Sequence, residues 1–229
     1  PEAITPAVLV TATQLTVELD QTRLPLNRKS TNKEPGTWAP YLSQQGVPGS
    51  VLAALRSGAS DNTMVTMRAK RAAACLLWMS DWPISKIERT LTQYIPGNDA
   101  AGDVRSVVNR TLDLVPTAIE VGAILHSGLA LGDRQADLLA RLQLGLPASL
   151  ARLGRLAGAN LTRAEYLALG RAGLAELDAL AVATDEEIAA ALGADKQRVR
   201  IVREALRRLP PETEPVEFPP YDEGIESAT

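Results

Sequence analysis

The sequence predicts a mostly α-helical protein: a helical bundle followed by a helix-hairpin-helix domain, preceded by a short extended or β N-terminal arm. Three observations predict it. Ala, Leu and Arg are abundant while aromatic residues make up only 3% of 229 residues, a balance that favours helices over strands. Helix start and stop signals recur along the second half of the chain. The stretch LARLGRLAGANLTRAEYLALGRAGL, from Leu150 to Leu174, sets helix, tight turn and helix in succession.

The first segment differs from the rest. In VLVTATQLTVEL, Leu15, Val17 and Leu19 alternate with polar neighbours, which predicts a strand between Val8 and Leu19. Residues 21–50 hold Pro25, Pro35, Pro40 and Pro48 with Gly36, Gly46 and Gly49, and read as a long connection or an arm wrapped on a neighbour. Residues 1–62 are therefore assigned to the arm.

A bundle is expected over residues 63–146. Its first helix covers roughly Met67 to Ser80, burying Ala72, Cys75, Leu76 and Met79, with Trp78 and Trp82 near its end and Pro83 closing it. Ser85 and Glu88 form a capping box for a short helix whose Ile84, Ile87 and Leu91 share a face. The longest helix runs from about Ala101 to Leu125, with Val104, Val107, Val108, Val115, Ile119 and Gly122 as its buried stripe. Pro116 lies inside it and predicts a kink near residues 112–116. Asp133 opens the next helix, which Gly145 ends, and Pro147 starts the hairpin.

The domain expected over residues 147–209 begins with that hairpin. Leu150, Leu153 and Leu156 repeat at helical spacing, and Gly158, with Asn160 two residues on, marks a backbone reversal. Thr162 and Glu165 then cap a second helix that turns Ala164, Leu167 and Ala168 towards the first. Such a hairpin offers backbone N–H groups to a DNA phosphate, with Arg163 placed to assist. A short helix carrying Leu177 and Leu180 follows, then a second capping box, Thr184 with Glu187, and a helix ended by Gly193. In the last helix Val199, Val202, Leu206 and Leu209 lie on one side and Lys196, Arg200, Arg203 and Arg207 on the other. The second set reads as a phosphate-tracking stripe, or as a basic face meeting an acidic partner.

Charge supports this division. Residues 210–229 carry Glu212, Glu214, Glu217, Asp222, Glu223 and Glu226 and no Lys or Arg, so the chain's formal −3 becomes +3 over residues 1–209. The prolines among those acids mark a disordered acidic tail. One cysteine, Cys75, excludes an internal disulfide, and with one histidine, His126, leaves no set for a zinc site or a triad. Neither a membrane span nor a signal peptide is legible, so a cytosolic protein without a membrane partner is expected. The opening Pro1, where Met would stand, points to a processed protein or, more simply, to a fragment of a longer one.

From Ala69 to Leu209, about 140 residues, the order of elements resembles the C-terminal region of superfamily-two DNA helicases of the HelQ type. The segments that carry the likeness are LLWMSDWPISKIERTLTQY, GDVRSVVN, LLARLQLGLPASLARL and GANLTRAEYL. In that family a ratchet-like bundle precedes a helix-hairpin-helix domain, the long helix lines the DNA channel, and the hairpin domain contacts the strand leaving the motor. The resemblance implies that Arg105 faces DNA and that Gly158, Arg163 and Ala164 belong to the hairpin contact. Ser106 replaces a neighbouring basic position, Asp113 stands where a base-stacking Trp is usual, and Asn160 replaces a second glycine. Gripping a strand is therefore implied more than ratcheting it. With no GxxxxGK[ST] loop and no DExH-like box beside a strand, no cofactor is expected in this chain. ATP and Mg are expected for motor domains upstream, which with single-stranded or forked DNA are the implied partners. The alternative is a helical protein-interaction or scaffolding module that binds no nucleic acid.

Overall fold

In a computed structural model that describes residues 4–26, 34–92, 100–125 and 131–208, the described elements are all helical. In chain order they are α1 (Pro6–Thr13), α2 (Val17–Asp20), α3 (Glu34–Gln44), α4 (Gly49–Ala54), α5 (Asn62–Trp78), α6 (Ile84–Thr92), α7 (Ala101–Leu125) and α8 (Asp133–Leu144). A 3-10 turn at Ala148–Leu150 leads into α9 (Ala151–Ala157), and a second at Gly158–Asn160 into α10 (Arg163–Arg171). Then come α11 (Leu177–Val182), α12 (Asp185–Ala191) and α13 (Lys196–Arg207).

The expected strand is helix instead. Pro6 sits in the first turn of α1, and Thr5 Oγ1 accepts from Val8 N at 3.2 Å as its cap. Ala7, Leu9, Val10, Thr11 and Thr13 are all buried, so α1 is enclosed on most sides and shows no one-sided period in its sequence. It packs on α5 and α7. A strand preference worth tenths of a kcal/mol per residue is overridden by that burial.

Nor do the described residues of 1–62 form an extended arm. Trp38 and Leu42, one turn apart on α3, join Val10, Leu24, Val47 and Leu55 in the same apolar core as α5 and α7. α3 accommodates Pro40 within its span. The core reaches from Ala7 to Leu142, centred on Ala72, Ala73 and Cys75 of α5 and on Val104, Val107, Val108, Val115 and Ile119 of α7. Leu76 and Gly122, expected inside, are only half-buried. α7 continues through Pro116 to Leu125 as one element. α6 begins at Ile84, so Ser85 lies inside its first turn rather than capping it.

A second core starts at Leu146 and ends at Ala205, built on Leu150, Leu153, Tyr166, Leu169, Leu180, Ile188 and Val202. The inner face of α10 is Tyr166, Leu167 and Leu169, whereas Ala164 is exposed and Ala168 half-buried. α9 packs on both α8 and α13. Gly145, at φ +71°, ends α8 between the two cores. Leu209, His126 and the acidic tail at 210–229 lie outside the described residues.

Candidate nucleic-acid interface

The hairpin turn is tied down from inside. Gly158 takes φ +56°, and its N–H donates back to the Gly154 carbonyl. Asn160 Nδ2 donates to the Ala157 carbonyl at 2.8 Å, and Tyr166 OH to the Gly158 carbonyl at 2.7 Å. Thr162 caps α10 reciprocally: its N–H donates to Glu165 Oε2 at 2.6 Å, and Glu165 N–H to Thr162 Oγ1 at 3.3 Å. The Glu165 carboxylate thus sits at the helix N-terminus where a phosphate oxygen was expected. Arg198 answers its charge at 2.8 Å and also donates to the Asn160 carbonyl.

Arg163, which its place in the hairpin assigned to phosphate, is engaged by the protein's own backbone. Its Nε donates to the Gly145 carbonyl at 2.7 Å, and its Nη2 to the carbonyls of Ser80 at 2.9 Å and Trp78 at 3.2 Å. The guanidinium also lies 4.9 Å from the centre of the Trp78 ring. Trp78 is fixed in turn by its Nε1–H, which donates to the Leu142 carbonyl at 2.8 Å. Burial pushes the Arg163 pKa down to about 10, so the side chain remains a cation at neutral pH. It joins the helix of one core to the chain of the other.

The stripe on α13 is similarly divided. Arg203 Nε pairs with Asp185 at 2.8 Å while its Nη1 and Nη2 donate to the carbonyls of Leu180 and Ala183. It is a staple across α11, α12 and α13 rather than a free cation. Lys196, Arg200 and Arg207 are exposed and have no ion pair among the described residues. At 100° per residue they fall within about 40° of arc, spread over about 16 Å of helix. Arg203 would fall just outside, on the edge nearer the buried Val199. Glu204 and the N-cap residue Asp195 are exposed carboxylates beside them.

Arg105 is also exposed, but on α7 and so on an element of the first core. Its neighbour Arg110 lies 3.9 Å from Asp113, the residue at the stacking position. Of the nine residues singled out from sequence, Lys196, Arg200 and Arg207 share one free face; Gly158, Asn160, Thr162, Arg163 and Arg203 shape or brace the second core.

Sequence reasoning missed a buried ionic cluster in the first core. Asp20 bridges Arg68 and Arg71 of α5, each at 2.9 Å, although Arg68 is only 2% and Arg71 1% exposed. Arg68 also donates to the carbonyls of Leu55 and Ser57, and Arg71 to that of Thr22 and to Gln14 Oε1. The hydrogen bond from Arg68 leads the effects that hold the Asp20 carboxyl below its ordinary range, and burial lowers the Arg71 pKa. The cluster binds the segment after α2 and the end of α4 to α5. Its only trace in the sequence is MRAKR, three cations within an otherwise uncharged helix.

No protein-family model matches the chain, and no curated protein matches it. Among the described residues no helix is long and apolar enough to cross a membrane, and no group of three His, Cys, Asp or Glu side chains could hold a metal ion.

Proposed function

We propose that this chain is a nucleic-acid-binding accessory region of a DNA helicase, gripping single-stranded or forked DNA through phosphate contacts along α13. The ATP- and Mg-dependent motor would be supplied by domains outside it. One observation carries this reading: Lys196, Arg200 and Arg207 form an exposed cationic row on a helix whose opposite side, Val199, Val202 and Ala205, is locked into a core. Rigid support lowers the entropy lost when such side chains meet phosphate oxygens. Contact through the α10 N-terminus is less favoured, because Glu165 occupies it and Arg163 is engaged elsewhere.

Fluorescence anisotropy of a labelled single strand tests this. Three phosphate contacts give a slope of about −2 in log K against log salt, at about −0.7 per contact. Arg200→Glu with Arg207→Glu should weaken binding at about 50 mM salt by more than about tenfold. If the unaltered chain shows no binding at that salt, where charges are least screened, the reading fails.

A protein-docking role is favoured by a different feature, the end of α7, where Val121, Ile124 and Leu125 are 49%, 82% and 71% exposed. It becomes the better reading if binding to a protein partner survives the α13 reversal and is lost on Ile124→Ser with Leu125→Ser.

A further inference from the structure

The free face of α13 stops just before a segment of opposite charge. α13 ends at Arg207, and Arg208 follows as its cap, donating to the Leu156 carbonyl. Glu212, the first acid of the segment, is four residues beyond Arg208. The prolines at 210 and 211 disfavour further helix. From Glu212 to Glu226 an extended chain spans up to about 45 Å, whereas the row from Lys196 to Arg207 needs about 16 Å. The segment can therefore double back along the whole row. Residues 212–226 carry six carboxylates and no Lys or Arg, a charge complementary to the row. The nearby acids on the folded side are Glu204 on α13, Asp195 at its N-cap beside Lys196, and Asp185, which Arg203 already holds.

We propose that residues 212–226 occupy the Lys196–Arg200–Arg207 face in cis and compete there with a nucleic-acid strand. The competition rests on the nucleic-acid reading above; the contact does not. A short tether gives an effective concentration of order 1 mM, so a contact too weak to survive between separate molecules can still be substantially occupied. With a contact constant of about 0.3 mM, occupancy weakens polynucleotide binding by about fourfold. The contact is ionic and is screened away as salt rises.

Two measurements on the full chain decide it. The first places a nitroxide at position 217 through Glu217→Cys. Cys75 does not compete for the label, being fully buried with its thiol pushed up to about 12 by that burial. Paramagnetic broadening that reaches the amides around Lys196, about 16 Å beyond the helix end that any label on so short a tether broadens, is expected at about 50 mM salt and should be gone at about 500 mM. An absence of broadening around Lys196 at the lower salt overturns the contact. The second compares binding of a labelled oligothymidylate by the chain and by a variant with Glu212→Gln, Glu214→Gln, Glu217→Gln, Asp222→Asn, Glu223→Gln and Glu226→Gln. The variant should bind three- to fivefold more tightly at about 50 mM salt and no differently at about 500 mM. Equal affinity at low salt overturns the competition. If neither form binds the oligonucleotide, the nucleic-acid reading falls, and the contact is judged by the broadening alone.

Discussion

Replacing Arg163 with Ala removes the side chain that joins the two cores. Three hydrogen bonds to the carbonyls of Gly145, Trp78 and Ser80 are lost, together with the stacking on Trp78. A charged donor on a carbonyl contributes about 1.5 kcal/mol at the low end, and a cation over an indole about 1 kcal/mol. Against this gain of about 5 to 6 kcal/mol stands the cost of burying the guanidinium. Its pKa falls from 12.5 to about 10. At about 1.4 kcal/mol per unit, discounted for its partial exposure, that cost is about 2 to 3 kcal/mol. The expected loss is therefore about 3 kcal/mol, which for a chain of this size lowers Tm by about 6 to 12 °C. Arg163→Lys should recover little of it, since an ammonium cannot reach three carbonyls and stack at once. Because the lost bonds link two cores, urea unfolding followed by tryptophan fluorescence should separate from unfolding followed by far-UV circular dichroism; Trp38, Trp78 and Trp82 all belong to the first core or pack on it. Coincident transitions with an unchanged midpoint would refute the bridging role. The salt slope of oligonucleotide binding should not change in Arg163→Ala; a slope reduced by one contact would return Arg163 to the phosphate interface.

Three more expectations follow from the same geometry. Gly145→Ala should cost at least about 2 kcal/mol, because a Cβ there would lie 2.6 Å from both Arg163 Nε and Trp78 Cε2 on a backbone at φ +71°; a wild-type thermal melt would contradict this. Asp20→Asn should cost about 3 to 5 kcal/mol at pH 7 by leaving two buried guanidiniums without their carboxylate. The Asp20 pKa is lowered in the fold, so its contribution is present above the unfolded value near 3.9 and is lost as pH falls through the lower folded value; acid titration of Asp20→Asn by circular dichroism should lack that component. Arg203→Ala should lower Tm while leaving the salt slope of binding intact, as befits a staple; a slope reduced by one contact, with Tm unchanged, would restore it to the stripe.

The legible parts of this chain were those written within a few residues. The span of α7, Ala101–Leu125, follows from the valine spacing, and the capping boxes at Thr162 and Thr184 form as their Glu partners three residues on require. Gly145 ends α8 in the left-handed region that glycine tolerates. Where the reading failed, local pattern met enclosure. α1 is covered on most sides and so carries no amphipathic period, and the proline-rich run after it hid Trp38 and Leu42, one helical turn apart.

The arginines divide the two kinds of information most clearly. Sequence by itself determined that Lys196, Arg200, Arg203 and Arg207 share one side of a helix, because helical rotation is a local property. It could not determine which of them are free. Arg203 is taken by carbonyls 20 and 23 residues away, and Arg163 by carbonyls 18, 83 and 85 residues away. A guanidinium has five donors and no sequence signature for where they end; only tertiary packing, within a core for Arg203 and between cores for Arg163, decides whether a cation meets solvent or the backbone.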